Sequence, residues 1–263
     1  MSIEIHSQAI VSKNAKIGNG VSIAPFSIVE DNVEIGDGTK IHSNVYIANG
    51  TIIGNNCEIF HGAVLGNKPQ DLKFEGEKTS VEIGNETVIR EYVTIHRGTT
   101  VRMKTTVGNN CFIMAYVHIA HDCEIKNNVI LANAVNLAGH IVIEDFVIIG
   151  GMTPIHQFTK IGKHSMIGGG FRVSKDVPPF ILAGGEPLSF QKINIVGLKR
   201  RDFTSQTISN IEETYRTIYK SNLNISQAVE QLETNKNLDL ESRYIIEFIK
   251  SSKRGLISSN RTR

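Results

Sequence analysis

The sequence predicts a mainly β fold, a solenoid of short strands closed at its C-terminal end by an α-helical domain. Three observations carry that reading. From Ile5 to Leu65, and again from Ile83 to Val173, every sixth residue is Ile, Leu or Val. Gly and Asn cluster at the intervening positions. After about residue 190 the apolar spacing becomes helical.

A strict period of six fits neither the 3.6-residue helix nor the two-residue strand. Short strands joined by tight turns and stacked into a coil do fit it. Four residues after the aliphatic slots come small or β-branched side chains, among them Ala15, Val21, Ser27, Thr39, Cys57, Ala63, Thr87, Thr99 and Cys111. One large and one small inward position per hexad describe a narrow core. The composition agrees, with 23 Gly, no Trp and only 6% aromatic residues. Gly18-Asn19-Gly20, Gly36-Asp37-Gly38, Gly54-Asn55-Asn56 and Gly108-Asn109-Asn110 supply the positive φ that corners need.

Only Asp71 and Glu77 break the aliphatic series. Unpaired carboxylates cannot enter so thin a core, so an excursion loop is expected at about 66–82. Long excursions from a regular scaffold are often functional. The solenoid, with this loop, is assigned to residues 1–189. The helical domain is assigned to 190–263, with apolar stripes at Ile208, Ile211, Tyr215, Ile218 and Tyr219, and at Leu240, Tyr244, Ile245, Phe248 and Ile249. Such a cap covers the unpaired strand edges of the last coil.

The formal charge of +2 argues against a general polyanion binder, and no nucleic-acid partner is expected. The small net value averages over a basic end, since residues 199–263 hold twelve Lys and Arg against eight Asp and Glu. Lys199-Arg200-Arg201 is its densest part. No apolar run is long enough to span a bilayer, so no stable membrane insertion is expected. Cys57, Cys111 and Cys123 occupy small inward positions and read as buried free thiols. The repeat begins at once, with no secretory leader ahead of it, which points to a reducing, cytoplasmic setting.

With three hexads per coil, residues 18 apart stack at about 4.8 Å. That arithmetic aligns Met103, His121, Gly139 and Gln157, and beside them Lys104, Asp122, His140 and Phe158. His121, Asp122, His140, His156 and Gln157 then gather on one edge. Histidine titrates nearest neutral pH, so proton transfer is the chemistry such a cluster suits. No Gly-x-Ser-x-Gly nucleophile is present. Direct attack by a substrate hydroxyl or amine, deprotonated by His, is the simpler route. Zinc is the competing use of histidine, with His96, His118 and His121 as its candidates.

The repeat resembles the hexapeptide-repeat superfamily, which implies a left-handed parallel β-helix with three hexads per coil. Acyltransferases, zinc carbonic anhydrases and structural subunits share that fold, so it does not by itself identify chemistry. The spacing of the three zinc candidates departs from the carbonic anhydrase class. A closer resemblance rests on Gln70-Asp-Leu-Lys73, Thr94-Ile-His-Arg-Gly-Thr99, His118-Ile-Ala-His-Asp-Cys123, Leu137-Ala-Gly-His140, His156-Gln-Phe158, Asp176-Val-Pro-Pro179 and Asn194-Ile-Val-Gly-Leu-Lys-Arg-Arg201. In order and content these stretches are similar to the acyl carrier protein-dependent UDP-N-acetylglucosamine O-acyltransferases of lipid A biosynthesis.

That resemblance implies transfer of a 3-hydroxyacyl chain from acyl carrier protein to the sugar 3-hydroxyl, the first step of lipid A synthesis. It implies His121 as general base and Asp122 as its support. Gln70, Asp71 and Lys73 would hold the sugar and acyl group, with His96, His118, His140, His156 and Gln157 lining the cleft. Asn194, Arg200 and Arg201 would bind the uridine diphosphate, and Gly169 would act as an acyl-chain ruler that leaves room for a longer chain. A homotrimer with clefts between subunits, a basic tail meeting the acidic carrier protein, and no metal or organic cofactor are further implications. Transfer to a 3-amino analogue of the sugar is the alternative within the family. Two departures stand out: Val196 replaces a Glu common in the family, and Thr100–Thr106 keeps the six-residue register in place of a glycine-rich insertion.

Overall fold

The computed structural model describes residues 2–259. It is a left-handed parallel β-helix whose coils form a three-sided prism, followed by four helices. Nearly every hexad contributes a strand of two residues. The second residue of each strand is the aliphatic slot and points inward, as Ile23, Ile41, Ile59, Ile89 and Ile113 do on the first face. The chain passes from first face to second to third and back, and the strands of successive coils pair in parallel. The faces hold 12, 8 and 8 strands among the described residues. Cys57, Cys111 and Cys123 are free and buried, as their inward positions require.

Coil length varies at two places. Lys40 pairs with Glu58, but Glu58 pairs with Val88 and Val88 with Phe112, before the 18-residue step returns with Phe112 and Ile130. The chain therefore leaves the prism twice, and both excursions depart from the edge joining the second face to the third. The first lies between the strands Val64–Asn67 and Ser80–Ile83, so the loop expected at about 66–82 is narrower than that range. The second lies between Thr94–His96 and Lys104–Val107.

This second excursion corrects the sequence reading of 100–106 as an uninterrupted hexad. It is one hexad long, so it preserves the phase of the repeat while leaving the core. Val101 is 70% exposed, and the inward position opposite Val81 is filled by Thr105. Stacking by 18 fails across it: Thr94 pairs with His118, which puts Arg97 rather than Met103 in register with His121.

Beyond Val173 the first face is extended by the antiparallel pair Ile181–Gly184 and Ser189–Ile193. The boundary assigned at 189/190 thus falls inside a strand. The helices are α1 (Ile195–Lys199), α2 (Ser205–Lys220), α3 (Ile225–Glu233) and α4 (Leu240–Ser251). Thr204, Asn224 and Asp239 cap α2, α3 and α4 through side-chain oxygens that accept a backbone N–H of the first turn. The predicted stripe of α2 is buried. In α4 Ile245, Ile246 and Phe248 are buried, whereas Leu240, read as part of that stripe, begins the helix exposed. Tyr215 ties α2 to the solenoid by donating to the carbonyl of Pro179 at 2.6 Å. Positions 260–263 of the assigned helical domain, including two of its arginines, lie outside the described residues.

Candidate active site

The edge between the second and third faces turns on residues with left-handed backbone. Asp122 has φ 58°, His140 φ 63° and Phe158 φ 62°, one per successive coil. Holding such a backbone costs a non-glycine residue roughly 1–2 kcal/mol, and that cost recurs where side chains must be aimed. Here it stacks their side chains along the prism. His140 lies flat on Phe158, with ring centroids 4.5 Å apart and planes 4° from parallel. His121, immediately before its corner, meets His140 edge to face at 5.0 Å.

Asp122 is wholly buried, and four hydrogen bonds reach its carboxylate. The backbone N–H groups of Thr99 and Arg102 donate to Oδ1 at 3.0 and 3.1 Å, and the Thr99 hydroxyl donates to Oδ2 at 2.6 Å. Nδ1 of His121 is 2.8 Å from the same Oδ2. Burial pushes the Asp122 carboxyl up, and the bonds from Thr99 and His121 more than reverse it, leaving the group below the ordinary carboxylate range. An ionised Asp122 can only accept, so the His121 Nδ1 that faces it carries a proton, and in the neutral ring the lone pair is on Nε2. Gly139 makes room for that ring: a Cβ there would stand 2.6 Å from Cε1 and 2.8 Å from Nε2 of His121.

His96 and His118 stand on the second face beside this edge, edge to face at 5.0 Å. Nδ1 of His118 pairs with the Thr94 hydroxyl at 2.7 Å, whereas Nδ1 of His96 is buried with no hydrogen-bond partner. Burial, with His118 and His121 adding to it, lowers His96 to about 4. Burial also lowers His118 and His140, the latter partly offset by Asp122 and Asp71. That influence brings Asp71, on the first excursion, within electrostatic reach of the edge. Its neighbours Gln70 and Lys73 are exposed, and the backbone N–H of Lys73 donates to the Asp71 carboxylate at 3.0 Å. His156 and Gln157 follow one coil beyond Ala138 and Gly139, half-buried and exposed respectively.

The residues gathered as potential metal ligands are His121, Asp122 and His140, with ligand atoms within 4.8 Å of one another, rather than His96, His118 and His121. The fit is poor. All four hydrogen-bonding positions of Asp122 are taken, and one of them holds His121.

The remaining expected site residues stand on other edges. Asn194 is buried, accepts from the N–H of Gly197 at the start of α1, and donates to the carbonyl of His164 at 2.9 Å. Arg201 donates to the Gly197 carbonyl and lies 4.9 Å over the Phe146 ring. Phe146 and His164 belong to the edge between the third and first faces, with Arg200 exposed beside them. Gly169 is exposed on the edge between the first and second faces, where its absent Cβ would lie 3.0 Å from the Gly151 carbonyl. One chain therefore brings together His96, His118, His121, Asp122 and His140, with Asp71 of the first excursion in electrostatic reach, but not Gly169, Asn194, Arg200 or Arg201.

Sequence reasoning missed Thr99 and Arg102. The hexad spacing places Thr99 in the core as a small inward residue; it is buried against Asp122 instead. The only available signal was a polar residue followed by an apolar slot that was in phase by coincidence of length.

Residues 176–257 match the family described as UDP-N-acetylglucosamine O-acyltransferase, domain 2, and residues 32–67 and 104–139 match the bacterial transferase hexapeptide repeats. The chain is 51% identical over 255 residues to the acyl-[acyl-carrier-protein]–UDP-N-acetylglucosamine O-acyltransferase of Sulfurihydrogenibium sp. (strain YO3AOP1), covering 97% of this chain and 94% of that one. It is 41% identical to the protein of the same name from Syntrophobacter fumaroxidans, covering 97% and 100%. Among solved structures, a UDP-N-acetylglucosamine acyltransferase from Bacteroides fragilis 9343 superposes with a TM-score of 0.94 at 48% identity, covering 96% of this chain and 99% of that one. The chain belongs to the acyl-[acyl-carrier-protein]–UDP-N-acetylglucosamine O-acyltransferase family.

Proposed function

We propose that the protein transfers a 3-hydroxyacyl group from acyl carrier protein to the glucosamine 3-hydroxyl of UDP-N-acetylglucosamine, the first step of lipid A biosynthesis. The observation that carries this reading is the His121–Asp122 pair. A buried, ionised Asp122 holds the Nδ1 proton of His121 and leaves Nε2 as the base. Nε2 takes the proton of the 3-hydroxyl as that oxygen attacks the thioester carbonyl. Collapse of the tetrahedral intermediate expels the carrier thiolate, which recovers the proton from Nε2. A positioned general base of this kind is worth about 10²- to 10⁴-fold.

Family membership supports Gln70, Asp71 and Lys73 as holders of the sugar and acyl group, with His96, His118, His140, His156 and Gln157 lining the cleft. It likewise supports Asn194, Arg200 and Arg201 at the nucleotide diphosphate, for which paired guanidinium donors are suited. Asn194 already caps α1 and anchors His164, so its part is also to shape the turn carrying Arg200 and Arg201. Gly169 would set acyl length, on an edge where Gly150-Gly151 and Gly168-Gly169-Gly170 leave bare backbone for a chain to lie on.

These groups occupy three different edges of one prism. A homotrimer with sites between neighbouring solenoids assembles them around one sugar nucleotide, and the basic helical end meets the carrier protein. The deciding experiment is an assay of the purified protein with UDP-N-acetylglucosamine and a panel of 3-hydroxyacyl carrier thioesters, the 3-amino sugar nucleotide serving as competitor. Formation of the 3-O-acyl product supports the reading; acylation of the amino sugar alone would replace it with the N-acyl alternative.

A further inference from the structure

The second excursion leaves the prism through a tight neck and returns within one hexad. A Cβ on Gly98 would lie 2.3 Å from the backbone nitrogen of Lys104, so the two strands of the neck close to backbone distance only because residue 98 is glycine. Inside the neck the N–H of Met103 donates to the Thr99 carbonyl at 2.8 Å, closing a single turn. Thr99 is the pivot of that turn. Its hydroxyl accepts the N–H of Val101 at 3.3 Å, which directs its own proton to Oδ2 of Asp122 at 2.6 Å.

Oδ2 is also the oxygen that faces Nδ1 of His121. The Thr99 hydroxyl and the His121 ring therefore hold the same carboxylate oxygen from two directions. His140 Nδ1, at 3.8 Å, is too distant to share it by hydrogen bond. A fully buried carboxylate without such donors would tend to take up a proton, and a protonated Asp122 could no longer enforce the Nδ1-H tautomer of His121.

We propose that Thr99 is a positioning residue for the reaction: its hydroxyl and N–H orient the Asp122 carboxylate, which in turn aims Nε2 of His121 at the substrate. The excursion is thus a built part of the catalytic edge, a strap that lays one hydroxyl on the buried acid. This inference rests on the general-base reading of His121.

The test compares steady-state transfer by the full-length Thr99→Val, Thr99→Ser, Asp122→Asn, Thr99→Val/Asp122→Asn and His121→Ala proteins, each checked for folding by circular dichroism. Thr99→Val keeps the shape and removes the hydroxyl. It should lower kcat by about 10- to 100-fold, the worth of one hydrogen bond to a charged group, with KM for UDP-N-acetylglucosamine unchanged. Thr99→Ser restores the donor and should restore kcat. In the Asp122→Asn background, Thr99→Val should cost nothing further, because the partner it serves has gone. Wild-type kcat in folded Thr99→Val, or a full additional loss on top of Asp122→Asn, overturns the proposal. If Thr99→Val does not fold, Thr99→Ala against Thr99→Ser makes the same comparison. Retained activity in His121→Ala overturns the general-base reading itself, whereas a dead His121→Ala beside an unaffected Thr99→Val removes only the role of Thr99.

Discussion

The ring of His121 lies against Gly139 so closely that a single Cβ at Gly139 would stand 2.6 Å from its Cε1. The glycine belongs to the next coil, so the His121 ring is placed by stacking as much as by Asp122, its chain neighbour.

That contact makes Gly139→Ala a test of ring placement. The backbone of Gly139 is not left-handed, so alanine is tolerated by the turn. Its methyl must push the imidazole aside and break the line from Asp122. Misplacement on this scale costs roughly 100-fold. The expected result is a fall of that order in kcat with the fold retained, read by steady-state kinetics and thermal melting. Unchanged kcat in Gly139→Ala would mean that the ring does not act from this position.

A second prediction concerns acid stability. His164 is buried between Phe146 and Phe180, its Nδ1 has no hydrogen-bond partner, and burial with help from Arg201 and Lys163 lowers it to about 4. The unfolded chain binds a proton on this histidine below pH ~6.5 and the folded chain does not until about 4. Stability contributed by neutral His164 is therefore full above pH ~6.5 and falls as pH drops toward 4, by up to ~3 kcal/mol. Phe146 and Phe180 hold the same left-handed backbone nearby, so phenylalanine suits the site. His164→Phe should shrink the fall in urea-unfolding free energy between pH 6.5 and 4, leaving the share that His96, also lowered to about 4, contributes in the same window. A pH slope in that variant equal to that of the unaltered protein would contradict the assignment.

The third prediction addresses acyl length. A side chain at Gly169 must begin only 3.0 Å from the Gly151 carbonyl and then project along an edge of otherwise bare glycines. Gly169→Met should shift preference toward shorter 3-hydroxyacyl chains in a competition assay. An unchanged chain-length profile would remove Gly169 from the acyl path.

Much of the architecture is legible because three six-residue repeats make one 18-residue coil. Knowing that residues 18 apart stack was enough to bring His121, Asp122 and His140 to one edge from separate coils. The first excursion was visible because Asp71 and Glu77 carry charge into aliphatic slots. The second was not, because its length equals one hexad and Val101 falls in phase by coincidence. With that loop went the partners of Asp122, since neither Thr99 nor Arg102 has a spacing that points to it. The corners were also more varied than Gly and Asn suggest. Tyr92, Tyr116, Phe146 and Phe158 all take positive φ, and each ring stacks on a ring of the coil next to it, packing that offsets the strain.

In the proposed mechanism His121, held by Asp122, removes the proton of the attacking hydroxyl. The most direct test of that step is the rate of 3-hydroxyacyl transfer from acyl carrier protein to UDP-N-acetylglucosamine by purified His121→Ala protein with its fold verified. A drop of at least about 10²-fold in kcat is the expected result, and turnover near that of the unaltered protein would contradict the account.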